Sequence, residues 1–230
     1  MRVWDIHPGY LNRQSLLGEH RELHGLVSIL VNGKKGYSQH PETLRWVGYG
    51  WALKQRHKEL GCEMKLRGYK DKSPVRTRSN HGQWPTEYID EPHIQIKLLK
   101  EKYIDKEKGR IPLPRNTHEL WSHHKYSVLA RDPNKYKEIG QNVSGKTTDF
   151  EKLSIELVAL LRTPPTEGGI RNALQHMWGH VSKDTNIVGQ ENVSSWSLKR
   201  LLVETQENVK KSNEPYLTKS TALSELMVWL

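Results

Sequence analysis

The chain has 230 residues, 35% of them hydrophobic, with a formal net charge of +10 and a pI of about 9.6. That length carries one large domain or two small ones, and recurring Trp, Leu, Ile and Val exclude a disordered tail. The lone cysteine, Cys62, excludes an internal disulfide, and no stretch approaches the ~18 apolar residues of a membrane span.

In chain order, Pro8-Gly9 breaks the lead-in Met1–Pro8, and Asn12 is the predicted N-cap of a first helix. Leu16, Leu23, Leu26, Val27 and Leu30 recur at helical spacing and give it an apolar stripe. Gly18, Glu22 and Gly25 lie on another face. Those glycines either leave room around the Glu22 carboxylate or allow close helix packing. Asn32-Gly33-Lys34 ends the helix, with Gly33 as its C-terminal cap. Pro41 opens a second helical run, expected to continue through Trp46 and Trp51 to Arg67, where Gly68-Tyr69 stops it. Residues 70–92, rich in Lys, Arg, Ser, Gly and Pro, read as an extended basic loop, followed by a short helix at 94–103.

The Pro-rich stretch 109–115 is the expected boundary, giving domains 1–108 and 118–230. Beyond it the chain reads as helical: a segment from Thr117, then 150–162 capped by Asp149 and ended by Pro164-Pro165, then 171–181, 195–211 and 217–230. No strand-type alternation is long enough for a sheet. The expected class is therefore all-α, two helical domains joined by a Pro-rich linker.

Charge is unevenly spread. Residues 1–120 hold 22 Lys and Arg against 14 Asp and Glu, a balance of +8, while the remainder holds 14 against 12, only +2. A basic half joined to a near-neutral half suggests a polyanion-binding module plus something else, against the plainer reading of a soluble basic surface. Eight Trp and nine Tyr against one Phe favour rings with a polar handle, some of which can stack on ligands. The amino terminus lacks the apolar core of a signal peptide, so the expected location is cytoplasmic and nucleoid-associated.

Four constellations can carry chemistry. His176 and His180, spaced i, i+4, suit two metal ligands, but Met177 stands where a metalloprotease has Glu and no third ligand is obvious. His20 and His24 share that spacing, but they flank Glu22 and read as a tuned acid–base or phosphate site rather than a metal site. His123-His124 is adjacent and weak. The fourth is the α-amine of Met1 with Glu22. An α-amine has an ordinary pKa of about 7.7–8.0, so much of it is nucleophilic at neutral pH. It can attack a nucleotide C1′ and expel the base through an imine, with Glu22 moving protons and Arg2 and Arg21 holding phosphates. Taken alone this is a weak signal, since every chain has an amine.

Resemblance sharpens it. The order Gln14-x6-Arg21-Glu22-Leu23, Asn32-Gly33-Lys34, Arg56-x2-Glu59-Leu60 and Arg67-Gly68-Tyr69 resembles the phage-type endonuclease V family, pyrimidine dimer DNA glycosylases with AP lyase activity. The lead-in Met1-Arg2-Val3-Trp4-x-Ile6-His7-Pro8-x-Tyr10-Leu11-x-Arg13-Gln14 is similar to bacterial members. The resemblance covers roughly residues 1–105. It implies an all-helical fold, a nucleophilic amine at Met1, an essential glutamate at Glu22 and a phosphate-binding arginine at Arg2. The bulk of Arg2 should leave Met1 uncleaved. DNA contacts are expected from Arg2, Gln14, Arg21, Lys34, His57 and Lys72, with no metal and no organic cofactor. Three positions depart from the family pattern: Ser15 for a histidine, Gly25 for an arginine and His57 for a glutamine. They bear on lesion choice more than on the amine chemistry.

The second half, His124-Lys125-Tyr126-x2-Leu129-Ala130-x-Asp132-Pro133 with Arg171-Asn172-Ala173-Leu174-Gln175-His176-x2-Gly179-His180, resembles the YbgA-type helical domain, whose activity is unsettled. Arg171, Asn172, Gln175 and His176 either touch nucleic acid or a partner, or serve capping and core hydrogen bonding. The expected function is a DNA repair glycosylase and AP lyase acting on lesion-containing duplex DNA. The rival readings are a lyase for abasic sites or another lesion, and a non-catalytic nucleic-acid-binding module that recruits a partner through its C-terminal domain.

Overall fold

A computed structural model describes residues 1–182, 193–212 and 214–230. The described residues are helices, turns and loops, with no strand, so the chain is all-α. They divide into two compact units, Met1–Gly109 and Arg110–Leu230.

The first unit starts with an extended lead-in and a 3-10 turn at Pro8–Tyr10, whose N-cap His7 accepts from the Gly9 N–H at 2.9 Å. Helix α1 spans Arg13–Asn32. Asn12 caps it by accepting from the Ser15 N–H at 2.9 Å, and Gly33 ends it in the left-handed conformation at φ +62°. Helix α2 is Pro41–Arg45 and α3 is Gly50–Leu66. The single run expected across 41–67 is therefore broken. Gly48 takes φ +85°, and Gly50 approaches the basic loop so closely that a Cβ there would sit 2.7 Å from Ser79 Oγ. The Gly50 and Trp51 N–H groups donate to Ser79 Oγ and Ser79 O, both at 2.9 Å, so the loop fills the gap where the helix would have continued. Helix α4, Pro92–Lys102, completes the unit. Leu16, Leu23 and Leu26 of α1, Leu53 and Leu60 of α3 and Ile96 and Leu99 of α4 are buried, and α1 lies against α3. Each such side chain contributes on the order of 1.5–3 kcal/mol of burial free energy.

The second unit is organised around α5, Thr117–Leu129, which α6 (Pro133–Ser144), α7 (Phe150–Leu161) and α8 (Glu167–Val181) all contact. Helix α9, Leu198–Ser212, packs on α8. Asp132 and Asp149 cap α6 and α7 through their carboxylates. The helix expected at 217–230 is instead a turn, the single turn α10 (Ala222–Glu225) and a 3-10 turn at Leu226–Trp229. Burial explains that difference: the segment is enclosed at Ala222, Leu223, Ser224, Glu225, Leu226 and Val228, and the buried Glu225 accepts from Arg131 at 2.5 Å. Its path follows those contacts rather than an amphipathic stripe.

Candidate functional site

The lead-in is fastened along its length to the helices beneath it. The Arg2 N–H donates to Glu22 Oε2 at 2.5 Å, the Trp4 N–H to Glu19 Oε1 at 3.1 Å and the Asp5 N–H to Gln95 Oε1 at 2.8 Å. Arg45 holds the Asp5 carboxylate at 2.9 Å and the Val3 carbonyl at 3.2 Å. These bonds carry the first residue to Glu22. Three covalent bonds separate the Met1 amine from the Arg2 nitrogen, so the amine lies within roughly 6 Å of the carboxylate.

Glu22 is exposed on α1, and a Cβ added at Gly18 or at Gly25 would meet nothing within 4 Å. The two glycines thus leave open space around the carboxylate and do not serve close helix packing. Glu22 is an accessible carboxyl neighbour of an amine, an arrangement suited to proton transfer during imine chemistry.

Beneath it lies a residue pair that sequence reasoning misses. Glu19 is buried one turn before Glu22, and Arg56 of α3 grips it with Nε at 2.8 Å and Nη2 at 3.1 Å. Burial pushes the Glu19 carboxyl up, to about 7, against the pull of Arg56 and the Trp4 N–H. Glu19 and Glu59 keep the buried guanidinium protonated. The sequence does hold a signal. Leu16-x2-Glu19-x3-Leu23 and Leu53-x2-Arg56-x3-Leu60 each place a charge inside an apolar stripe, and opposite charges so placed call for each other.

The expected DNA-contacting residues separate into two groups. Gln14, Arg21, Lys34 and Lys72 are exposed. Arg2 is half-buried; its guanidinium pairs with Asp90 at 2.6 Å and stacks 4.2 Å above the Trp4 ring. His57 points inward. It is 7% exposed and lies 3.1 Å from His24 Nε2 and 3.3 Å from Asp71 Oδ2. His20 joins the same cluster, 3.4 Å from Asp71 Oδ1. Burial, together with the neighbouring imidazoles, lowers His57 to about 4 and lowers His24 as well. Burial would raise Asp71, but two hydrogen bonds from Ser73 and the nearby His57 and His20 bring it down overall. The i, i+4 pair of α1 is therefore half of a four-residue group completed from α3 and the basic loop.

That loop presents Lys70, Lys72, Arg76 and Arg78 to solvent. Beside it opens a concavity of about 420 Å³ with Leu30, Trp46 and Leu53 on its walls and Arg76 and Arg78 at its edge. Cationic edges over apolar and aromatic walls suit a nucleic acid, whose bases stack and whose phosphates pair.

Residues 1–77 match the family described as pyrimidine dimer DNA glycosylase. The match takes in the lead-in, Glu22, the Glu19–Arg56 pair and the start of the basic loop, and it supports a DNA glycosylase role for the first unit. Residues 125–225 match a family described as a protein of unknown function (DUF1722), which coincides with the YbgA-like stretch of the second unit. Neither a curated protein nor a solved structure matches the chain. The stretch similar to the glycosylase family is thus followed in the same chain by one similar to a family of unknown function. In the second unit Arg171 donates to the Trp196 carbonyl at 3.1 Å, while His176 and His180 are exposed. His180 Nε2 lies 2.8 Å from Tyr126 Oη, so the His176–His180 face is partly engaged by α5. Among the described residues no helix is long and apolar enough to cross a membrane.

Proposed function

We propose that the first unit excises a damaged base, a pyrimidine dimer in the first instance, through an imine formed by the Met1 amine, and then cleaves the strand as an AP lyase. The amine nitrogen attacks C1′ and the C1′–base bond breaks, the base leaving with a proton from solvent. Glu22 takes a proton from the bound amine and returns it to O4′ as the sugar ring opens, which leaves the protein joined to the sugar as a protonated Schiff base. Glu22 takes the proton from C2′ in the β-elimination that expels the 3′ phosphate, and water then releases the protein. The observation that carries this reading is the 2.5 Å bond from the Arg2 N–H to Glu22, which sets the carboxylate beside the chain's first amine.

Arg21, Lys34, Lys72 and the loop cations supply the phosphate contacts, making binding strongly salt-dependent. Arg2 contributes mainly by holding the lead-in down through Asp90 and Trp4, and its guanidinium reaches a phosphate only by leaving Asp90. No cofactor takes part in these steps.

Borohydride reduction with dimer-containing and abasic duplexes tests the proposal. A reducible Schiff base leaves a covalent protein–DNA adduct whose peptide map ends on Met1. The expected result is an adduct with both substrates, its loss on extending the amino terminus, and base release by Glu22→Gln reduced at least about 100-fold with DNA binding kept. An adduct with abasic DNA alone would favour the abasic-site lyase. Absence of adduct with either duplex would leave a nucleic-acid-binding module and overturn the enzymatic reading.

A further inference from the structure

We propose that His20, His24, His57 and Asp71 form a four-coordinate site for a divalent, imidazole-preferring cation, Zn²⁺ in the first instance. One ligand atom from each of the four lies within 4.8 Å of every other. Two separations match the edge of a metal tetrahedron: His57 Nε2 to His24 Nε2 is 3.1 Å and His57 Nε2 to Asp71 Oδ2 is 3.3 Å, while His20 Nε2 lies 3.4 Å from the other carboxylate oxygen, Oδ1. Zinc bonds of ~2.0–2.1 Å place tetrahedral ligands about 3.3 Å apart. A direct ion pair between imidazole and carboxylate would close to about 2.7–2.9 Å. The imidazole–carboxylate spacing is that of ligands around a centre. His24 Nε2 lies within hydrogen-bond distance of His57 Nε2 at 3.1 Å and of Ser73 Oγ at 3.2 Å, contacts that a bound cation would replace.

An independent observation points the same way. His20 Nε2 is buried and makes no hydrogen bond, a costly state for a ring nitrogen unless something else occupies its lone pair. Asp71 is oriented as a ligating carboxylate should be. Its Oδ1 accepts from Ser73 Oγ at 2.6 Å and from the Ser73 N–H at 2.9 Å, which leaves Oδ2 turned to His57. Three nitrogens and one oxygen suit zinc, whereas calcium and magnesium demand oxygen ligands.

Four protein ligands leave no vertex for water, so the site is structural rather than catalytic. It would tie residue 71, at the start of the basic loop, to α1 and α3, and so order Lys72, Arg76 and Arg78 for a polyanion. Glu22 follows His20 by two residues, on a different face of α1, and takes no part in the metal site.

The test uses the tag-free full chain, stripped with a chelator and titrated with Co²⁺. One equivalent is expected to give the intense visible bands of tetrahedral cobalt, removed by one equivalent of Zn²⁺, and Zn²⁺ should raise the unfolding midpoint. Asp71→Asn and His57→Ala are each expected to weaken Zn²⁺ binding about 100-fold or more. A featureless cobalt spectrum with no zinc-dependent change in unfolding overturns the proposal, whether or not the variants fold. Undiminished zinc affinity in both folded variants overturns it as well. Metal binding and imine trapping are read separately, so zinc bound by a chain that traps no DNA removes only the glycosylase reading.

Discussion

Arg56 makes four hydrogen bonds inside the first unit: two to Glu19, one to Glu59 at 2.9 Å and one to the Ile6 carbonyl at 3.0 Å. Through Glu19 and the Trp4 N–H it reaches the lead-in a second time, so one guanidinium holds the segment that carries Met1. Removing it strands a buried carboxylate. Arg56→Met is expected to cost about 3–5 kcal/mol in chemical unfolding at pH 7.5. The loss should shrink on acidification, because an unpaired Glu19 can take up a proton where Arg56 had opposed it. Glu19→Gln keeps the shape and leaves Arg56 its Glu59 partner, so about 1–3 kcal/mol is expected there. Equal losses in the two variants, or no pH dependence for Arg56→Met, would refute this role for the pair.

At the scale of elements, α8 contains glycines that ought to respond in opposite directions. Gly169 sits in its first turn, where a Cβ would collide with the Ala130 carbonyl oxygen at the end of α5. A backbone carbonyl cannot step aside, so Gly169→Ala should force the two helices apart and cost about 1–3 kcal/mol. Gly179, exposed near the other end of α8, has nothing within 4 Å of an added Cβ. Gly179→Ala should raise stability by up to about 1 kcal/mol through helix propensity alone. Thermal unfolding of both variants checks the signs; a neutral Gly169→Ala would mean that α8 does not rest directly on the end of α5. These elements also show what is legible in the sequence. The caps at Asn12, Gly33, Asp132 and Asp149 act through their own neighbours, and the first, second and last of these can be assigned from local pattern alone. The break at 46–49 is hidden because its cause, Ser79, lies about thirty residues away. The histidine group is hidden for the same reason. His20 and His24 announce themselves by spacing, but His57 and Asp71 arrive only when α3 and the basic loop fold against α1. Glu22 stands out because of its distance from residue 1, while Glu19 gives only the weaker signal of a charge within an apolar stripe.

Over the whole molecule, the basic surface belongs to the first unit, and the second unit buries a pair of adjacent histidines in its central helix. His123 and His124 are each 5% exposed on α5, and the His124 Nδ1–H donates to the Leu120 carbonyl at 2.8 Å. Burial lowers His123 to about 3, helped by the neighbouring His124 and opposed by Glu119, with Lys219 and Arg110 adding to the depression. Burial likewise lowers His124 to about 4, with its bond to Leu120 and the charge of Glu225 opposing. Both histidines are thus less protonated in the folded chain than in the unfolded one. Their contribution to stability is whole above the unfolded value of about 6.5 and drains away as pH falls from there toward 3–4. The loss should reach on the order of a few kcal/mol by pH 4.5, since a pKa displaced by one pH unit on folding corresponds to about 1.4 kcal/mol. Whole-chain midpoints measured by circular dichroism between pH 8 and pH 4.5 also carry Glu19, raised to about 7 and stabilising as pH falls, and His57, lowered to about 4 and destabilising. The diagnostic is therefore the difference between the parent chain and a histidine variant, expected to be level down to about 6.5 and to change below it. His124→Gln retains a donor for the Leu120 carbonyl while removing the titrating ring, so the decline should become shallower in that variant. A curve for His124→Gln that parallels the parent chain would show that the acid sensitivity arises elsewhere.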